Sequence, residues 1–212
     1  MKKKFIAIAG NIGVGKSTLV EKMCARWDWQ PFIEGVVDNP YLADFYGDMR
    51  AWAFHSQIFF LSQRLRDLRR LIDHATSVVQ DRTVYEDAEI FAKNLYRQQL
   101  ISERDWRSYS ELYHALTQLL PPPDLVVYLQ SSVPTLLERI AQRGREYEKK
   151  IAPDYLAQLN ELYAEWIGNF NLAPVLIVPA ERLDFVANEQ HLDLILEKIK
   201  DKLRGEQMVL FE

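Results

Sequence analysis

The segment Gly10-Asn11-Ile12-Gly13-Val14-Gly15-Lys16-Ser17 holds the densest chemistry in the chain. It fits the pattern G-x-x-x-x-G-K-[ST]. Glycines let successive backbone N–H groups turn inward around phosphate oxygens, and the helix expected from Lys16 presents its positive end to them. In such a loop the Lys16 ammonium reaches the β- and γ-phosphates of a nucleoside triphosphate, and the Ser17 hydroxyl joins the shell of Mg²⁺. With Thr18 in the first helical turn, residues Gly10 through Thr18 form the expected triphosphate cradle. In a chain of this size a chance match arises on the order of one per cent of the time. The alternative, a glycine-rich turn with a surface lysine, lacks the apolar run before and the helical pattern after that frame this segment. ATP with Mg²⁺ is the expected ligand, and what it phosphorylates is left open. No Asn-Lys-x-Asp segment is present to read guanine.

Other candidates stand at the ends of short apolar runs. Glu34 follows Pro31-Phe32-Ile33, and Asp81 follows Ser77-Val78-Val79-Gln80. An acid placed beside a phosphate cradle can take a proton from an attacking hydroxyl, or hold Mg²⁺ through water. Arg82, next to Asp81, can pair with Glu34. Gln57 and Arg64 are seven residues apart and share a helix face two turns apart. Tyr46, eleven residues before Gln57, returns to that face only if the helix runs through Gly47. Arg139 and Arg143 share another face, and Gly144 breaks the helix so that Arg145 can turn inward. Cations that arrive on closure suit the charge building on a moving phosphoryl group. A basic helix end favoured by its dipole is the plainer reading.

The elements that must position these groups alternate. Apolar runs at 5–9, 31–34, 77–81, 125–129 and 175–178 read as buried strands. Helical patterns cover 16–27, 48–74, 85–100, 103–119, 133–142, 153–170 and 191–203, with Pro121-Pro122-Pro123 ending the fourth. Alternation of this kind implies an α/β fold with a five-stranded parallel sheet covered on both faces. Ligands of such sheets sit beyond the carboxyl ends of the strands, where Gly10, Glu34 and Asp81 all fall.

The chain has 212 residues, a net charge of −4 and one cysteine, Cys24. That composition excludes an intramolecular disulfide, shows no zinc-spaced Cys/His cluster, and offers no basic stripe for nucleic acid. No apolar stretch approaches the length of a membrane span. Met1-Lys2-Lys3-Lys4 is followed by too short an apolar run for a secretory signal. The expected location is the cytoplasm, with no nucleic-acid or membrane partner.

Taken together, the phosphate loop, Glu34, the helix with Gln57 and Arg64, Asp81-Arg82-Thr83 and Arg143-Gly144-Arg145 resemble the deoxynucleoside kinase family, and most closely bacterial deoxyadenosine and deoxyguanosine kinases. The likeness runs from about residue 4 to 186. It implies a thymidylate kinase-like form of the P-loop NTPase fold with an arginine-bearing lid: a kinase domain over residues 1–204 and a tail over 205–212. It implies transfer of the γ-phosphoryl of ATP to the 5′-hydroxyl of a deoxynucleoside. By resemblance Glu34 is the general base, Arg82 steers the hydroxyl, and Asp81 and Ser17 serve Mg²⁺. Gln57 reads the base, Phe91 stacks on it, and Tyr46 and Glu148 hold the sugar 3′-hydroxyl. Arg139 stacks on the donor adenine, Arg143 and Arg145 touch phosphates, and Asp184 and Phe185 lie beside the donor base. Gly35, where the family usually has proline after the acid, is a small departure.

The family's Arg–Asp pair corresponds to Arg64 and Asp87. It fills the space of a thymine methyl, which tilts the acceptor toward deoxyadenosine, with deoxyguanosine or deoxycytidine also possible. A homodimer through residues 48–74 and 85–100 is the expected assembly. A nucleoside monophosphate kinase would need cations where Glu34 and Asp87 stand. A nucleotide-binding module without transfer activity would need neither a base nor lid arginines.

Overall fold

The computed structural model describes residues 3–33 and 39–205, apart from the side chains of Leu68 and Tyr147. Glu34 and the residues through Asp38 lie outside the described residues, as does the tail beyond Gly205. Among the described residues one sheet runs in the order β2-β3-β1-β4-β5, with every neighbouring pair parallel. Its strands are β1 Phe5–Gly10, β2 Gln30–Phe32, β3 Val78–Asp81, β4 Leu125–Gln130 and β5 Val175–Pro179. Ile6, Ala7, Ile8 and Ala9 are all fully buried. Successive residues of a strand point to opposite faces, so helices must cover the sheet on both sides, as the continuous apolar runs require.

The crossovers contain helices α1 Lys16–Trp27, α2 Leu42–Gly47, α3 Met49–Asp73, α4 Val84–Glu86, α5 Lys93–Arg97, α6 Glu103–Thr117, α7 Val133–Arg143 and α8 Pro153–Asn169, and α9 Glu189–Arg204 follows β5. The third and fourth strands in sequence lie on either side of β1. The chain therefore changes direction across the sheet there, opening a crevice at the carboxyl ends.

Several boundaries differ from the sequence reading for local reasons. Tyr46 does not sit on the long helix. It belongs to α2, and Asp48 (φ −144°, ψ 88°) separates the two helices while its side chain accepts from the Ala51 N–H to cap α3. The helix expected over 103–119 stops at Thr117, where the Pro121 ring would meet its carbonyl four residues back. The helix expected over 85–100 is split: a π-helical turn at Asp87–Ala92 joins α4 to α5. Such widened turns inside helices often sit at functional sites.

Candidate functional site

The phosphate cradle leaves the end of β1 at Gly10 and enters α1 at Lys16. Glycine is required where the loop turns against the sheet. A Cβ on Gly10 (φ 148°) would stand 2.7 Å from the Leu129 carbonyl oxygen, and one on Gly13 (φ 82°) 2.7 Å from Ile140 Cγ1. Gly15 (φ 104°) precedes α1 and packs against the ring of Phe185. Asn11 is held by its own amide: Nδ2 donates to the Leu156 carbonyl at 3.0 Å and to Asn160 Oδ1 at 2.8 Å, and Oδ1 accepts from the Ile12 N–H at 2.7 Å. Lys16 Nζ donates back to the Gly10 and Asn11 carbonyls at 2.8 and 3.1 Å. Ile12, Val14 and Thr18 complete the loop.

Ser17 Oγ donates to Asp81 Oδ2 at 2.5 Å, bringing the helix start and the end of β3 together. Asp81 Oδ1 is buried and has no hydrogen-bond partner among the described residues. The Ser17 hydroxyl and the Asp81 carboxylate, with its unpartnered Oδ1, fit Mg²⁺, which takes oxygen ligands and keeps several waters or phosphate oxygens of its own. No cluster of three or more His, Cys, Asp or Glu is present among the described residues. Such an ion would therefore depend on phosphate for much of its shell.

Arg82 follows Asp81 in the left-handed backbone region (φ 63°). For a residue with a Cβ this costs on the order of 1–3 kcal/mol and persists only where neighbours enforce it. Here the Arg82 N–H donates to the Ile8 carbonyl at 3.1 Å, and its guanidinium lies 4.1 Å from the centre of the Phe91 ring. One face of Phe91 is thus covered by Arg82.

The second wall comes from α3 and the π-helical turn. Gln57 and Arg64 are both buried. Arg64 Nε donates to Asp87 Oδ2 at 2.9 Å, with the two side chains 5% and 2% exposed, and Arg64 Nη1 reaches the Asp81 carbonyl at 3.5 Å. Gln57 Oε1 is buried without a hydrogen-bond partner among the described residues. A buried amide oxygen left in this way is costly unless a ligand completes it.

Tyr46 is half-buried on α2, which packs against the 3₁₀ turn Glu146–Lys150 that carries Glu148. Glu148 is buried and takes both Arg143 and Arg145. Arg143 donates to its Oε2 at 2.6 and 3.0 Å, and Arg145 to its Oε1 at 3.3 Å. Gly144 (φ 71°) ends α7 between them. Arg139 donates to the Val14 and Ala180 carbonyls at 2.9 and 2.8 Å, which fixes its edge to the cradle. Asp184 caps its own turn, accepting from the Ala187 and Val186 N–H groups, and the former chiefly holds its carboxyl below the usual range. Phe185 is buried beneath the cradle, so its ring is not an open face for a donor base.

Sequence reasoning passed over two buried residues here, Glu86 and Tyr163. The spacing Thr83-x-x-Glu86 is a capping-box pattern and marks Glu86, and the box is present at the start of α4. Nothing local marks Tyr163, which reaches Glu86 across 77 residues.

Comparison with known proteins identifies the family. The deoxynucleoside kinase family profile matches residues 6–204. The chain is 36% identical over 208 residues to the deoxyadenosine/deoxycytidine kinase of Bacillus subtilis (strain 168), covering 97% of this chain and 96% of that protein. It is 36% identical over 201 residues to the deoxyguanosine kinase of the same organism, covering 93% and 96% respectively. The structure of deoxyadenosine kinase from M. mycoides with the products dCMP and a flexible dCDP superposes with a TM-score of 0.84 at 32% identity, covering 93% of this chain and 99% of that one. A dATP-bound structure of that kinase gives 0.81 at the same identity and coverage. With a matching family profile over almost its whole length and a sheet of the same kind carrying the phosphate cradle, the chain belongs to the deoxynucleoside kinase family.

Proposed function

We propose that this protein transfers the γ-phosphoryl group of ATP to the 5′-hydroxyl of a deoxynucleoside, with deoxyadenosine the preferred acceptor and deoxyguanosine or deoxycytidine secondary ones. The observation that carries the acceptor reading is the buried Arg64–Asp87 pair beside Gln57. A wall of one neutral amide and one neutralised ion pair suits an uncharged base, and Asp87 can accept from an exocyclic amine. The relatives named above act on deoxyadenosine, deoxycytidine or deoxyguanosine, which supports the same class.

In this reading Glu34 takes the proton of the 5′-hydroxyl as its oxygen bonds to the γ-phosphorus and the bond to the β-phosphate oxygen breaks, releasing ADP. Arg82 steers the hydroxyl. Lys16 exchanges its carbonyl partners for phosphate oxygens. Tyr46 and Glu148 hold the 3′-hydroxyl. Arg143 and Arg145 neutralise charge on the moving group, and Arg139 stacks on the donor adenine. When bound at Ser17 and Asp81, Mg²⁺ supplies charge neutralisation at the phosphates. Ser17→Ala therefore raises the Mg²⁺ concentration giving half-maximal activity by roughly tenfold or more, read from a metal titration at saturating ATP.

The test of the reaction is a panel of the four deoxynucleosides and dAMP, each with ATP and Mg²⁺. The expected result is fastest turnover of deoxyadenosine, poorest turnover of thymidine and none of dAMP. Turnover of dAMP alone would replace this reading with a nucleoside monophosphate kinase, and ATP binding without any turnover would leave a nucleotide-binding module. The same reading takes the protein as a cytoplasmic homodimer paired through α3 and the α4–α5 segment, with no nucleic-acid partner. Light scattering on the purified protein should give twice the 24.9 kDa of one chain. Among the described residues no helix is long and apolar enough to cross a membrane.

A further inference from the structure

One buried acid takes no part in this reaction scheme and joins its two halves. Glu86 is fully buried. Its Oε1 accepts from the Gly10 N–H at 3.1 Å and from the Tyr163 hydroxyl at 2.8 Å, while its Oε2 accepts from the Thr83 N–H at 3.0 Å and lies 3.5 Å from the Thr83 hydroxyl. Gly10 opens the phosphate cradle, and Thr83 closes the Asp81-Arg82-Thr83 segment. A helix cap alone would need only the Oε2 side. The Oε1 side reaches a different loop and a different helix, and those contacts are what the capping box leaves unexplained.

The Tyr163 hydroxyl also lies 2.8 Å from the Gly10 carbonyl, the same oxygen that Lys16 Nζ touches. Burial, reinforced by Glu86, pushes this hydroxyl well above its ordinary pKa, so it stays a donor. Leu156, Asn160 and Tyr163 follow one another at spacings of four and three along α8 and so share a face. That face grips Asn11 through Leu156 and Asn160, and Gly10 through Tyr163.

We infer that Glu86 and Tyr163 are positioning residues for phosphoryl transfer: together they fix Gly10, where the phosphate cradle begins, at a set distance from Arg82. The inference rests on the kinase reading above. The span of the Glu86 side chain sets the separation of the two loops, and α8 supplies the fixed side of the brace. A displacement of a reacting group by about 1 Å can cost 10²-fold in rate, so a brace of this kind acts on turnover without touching substrate.

The test compares Tyr163→Phe, Glu86→Gln and Glu86→Asp with wild type. Tyr163→Phe keeps the ring and removes the one donor. The expected result is a KM for ATP raised and a kcat lowered by roughly tenfold each, with the KM for deoxyadenosine within about twofold of wild type. Glu86→Gln, which keeps the span, should retain more activity than Glu86→Asp, which shortens it. Ser102→Ala, which removes the N-cap of α6 far from the cradle, serves as the control for plain destabilisation: its Tm falls and its KM for ATP does not change. If Tyr163→Phe behaves like Ser102→Ala, or if Glu86→Asp matches Glu86→Gln, the brace has no positioning role. Binding of a fluorescent ATP analogue, measured without acceptor, separates the two hypotheses. Inactive wild type on every deoxynucleoside overturns the function, whereas unchanged analogue binding by Tyr163→Phe overturns the brace.

Discussion

Replacing Glu34 with Gln lowers kcat by roughly 10²–10⁴-fold, the usual worth of a positioned general base. The 5′-hydroxyl is a weak acid, and its oxygen must shed a proton as the bond to phosphorus forms. A carboxylate accepts that proton; a carboxamide of the same shape does not. On a transition-state scale the loss corresponds to about 3–5 kcal/mol. Nothing in the cradle changes, so the KM for ATP stays near its wild-type value. β2 ends at Phe32 opposite Gln80, one residue before the Asp81 that holds Ser17, and two residues later in the sequence comes Glu34. Single-turnover rates with saturating ATP measure the effect. Near-normal turnover of the variant would remove Glu34 from the chemistry and leave the base to be sought elsewhere.

Asp87→Ala carries the largest expected cost to the fold. Arg64 and Asp87 are almost wholly buried, and removing the acid leaves a guanidinium beneath the surface without its charge partner. Breaking a pair of this kind costs about 3–5 kcal/mol. For a chain of this size that is a fall in Tm of roughly 10 °C. Pairing the change with Arg64→Met removes the stranded charge and should recover most of the loss, because a buried pair replaced by apolar groups is often neutral in stability. If the pair faces the base as proposed, the double variant also opens room for a thymine methyl and loses the acceptor for an exocyclic amine. Its thymidine-to-deoxyadenosine ratio of kcat/KM should rise by about tenfold or more. Thermal unfolding and the acceptor panel read the two effects separately. A double variant as unstable as Asp87→Ala, or one that still rejects thymidine, would contradict the assignment.

How much of this was legible in the sequence depended on the range of the interactions. Helix α1 spans the expected residues, because the glycines and Lys16 at one end and the apolar positions along it are all local signals. The stop of α7 at Gly144 was legible for the same reason. The face shared by Gln57 and Arg64 followed from helix period, and both are buried. Tyr46 was displaced onto α2 because Asp48 is a better cap than Gly47 is a link, a competition the long apolar pattern hides. The π-helical turn at Asp87 to Ala92 has no simple period to betray it. Glu86 and Tyr163 meet only once the third strand and α8 have been brought to the same side of the cradle. Contacts of that separation leave no trace in composition or spacing.

The knot of Arg143, Arg145 and Glu148 sets the order in which its charges can be given up. Two guanidinium groups share one submerged acid, so at rest the trio presents a single unit of positive charge rather than two. When one arginine departs toward an anion the other remains, and the acid keeps one charge partner. In the proposed reaction the first departure would leave a neutral couple, and only the second would take from the acid its last partner in the trio.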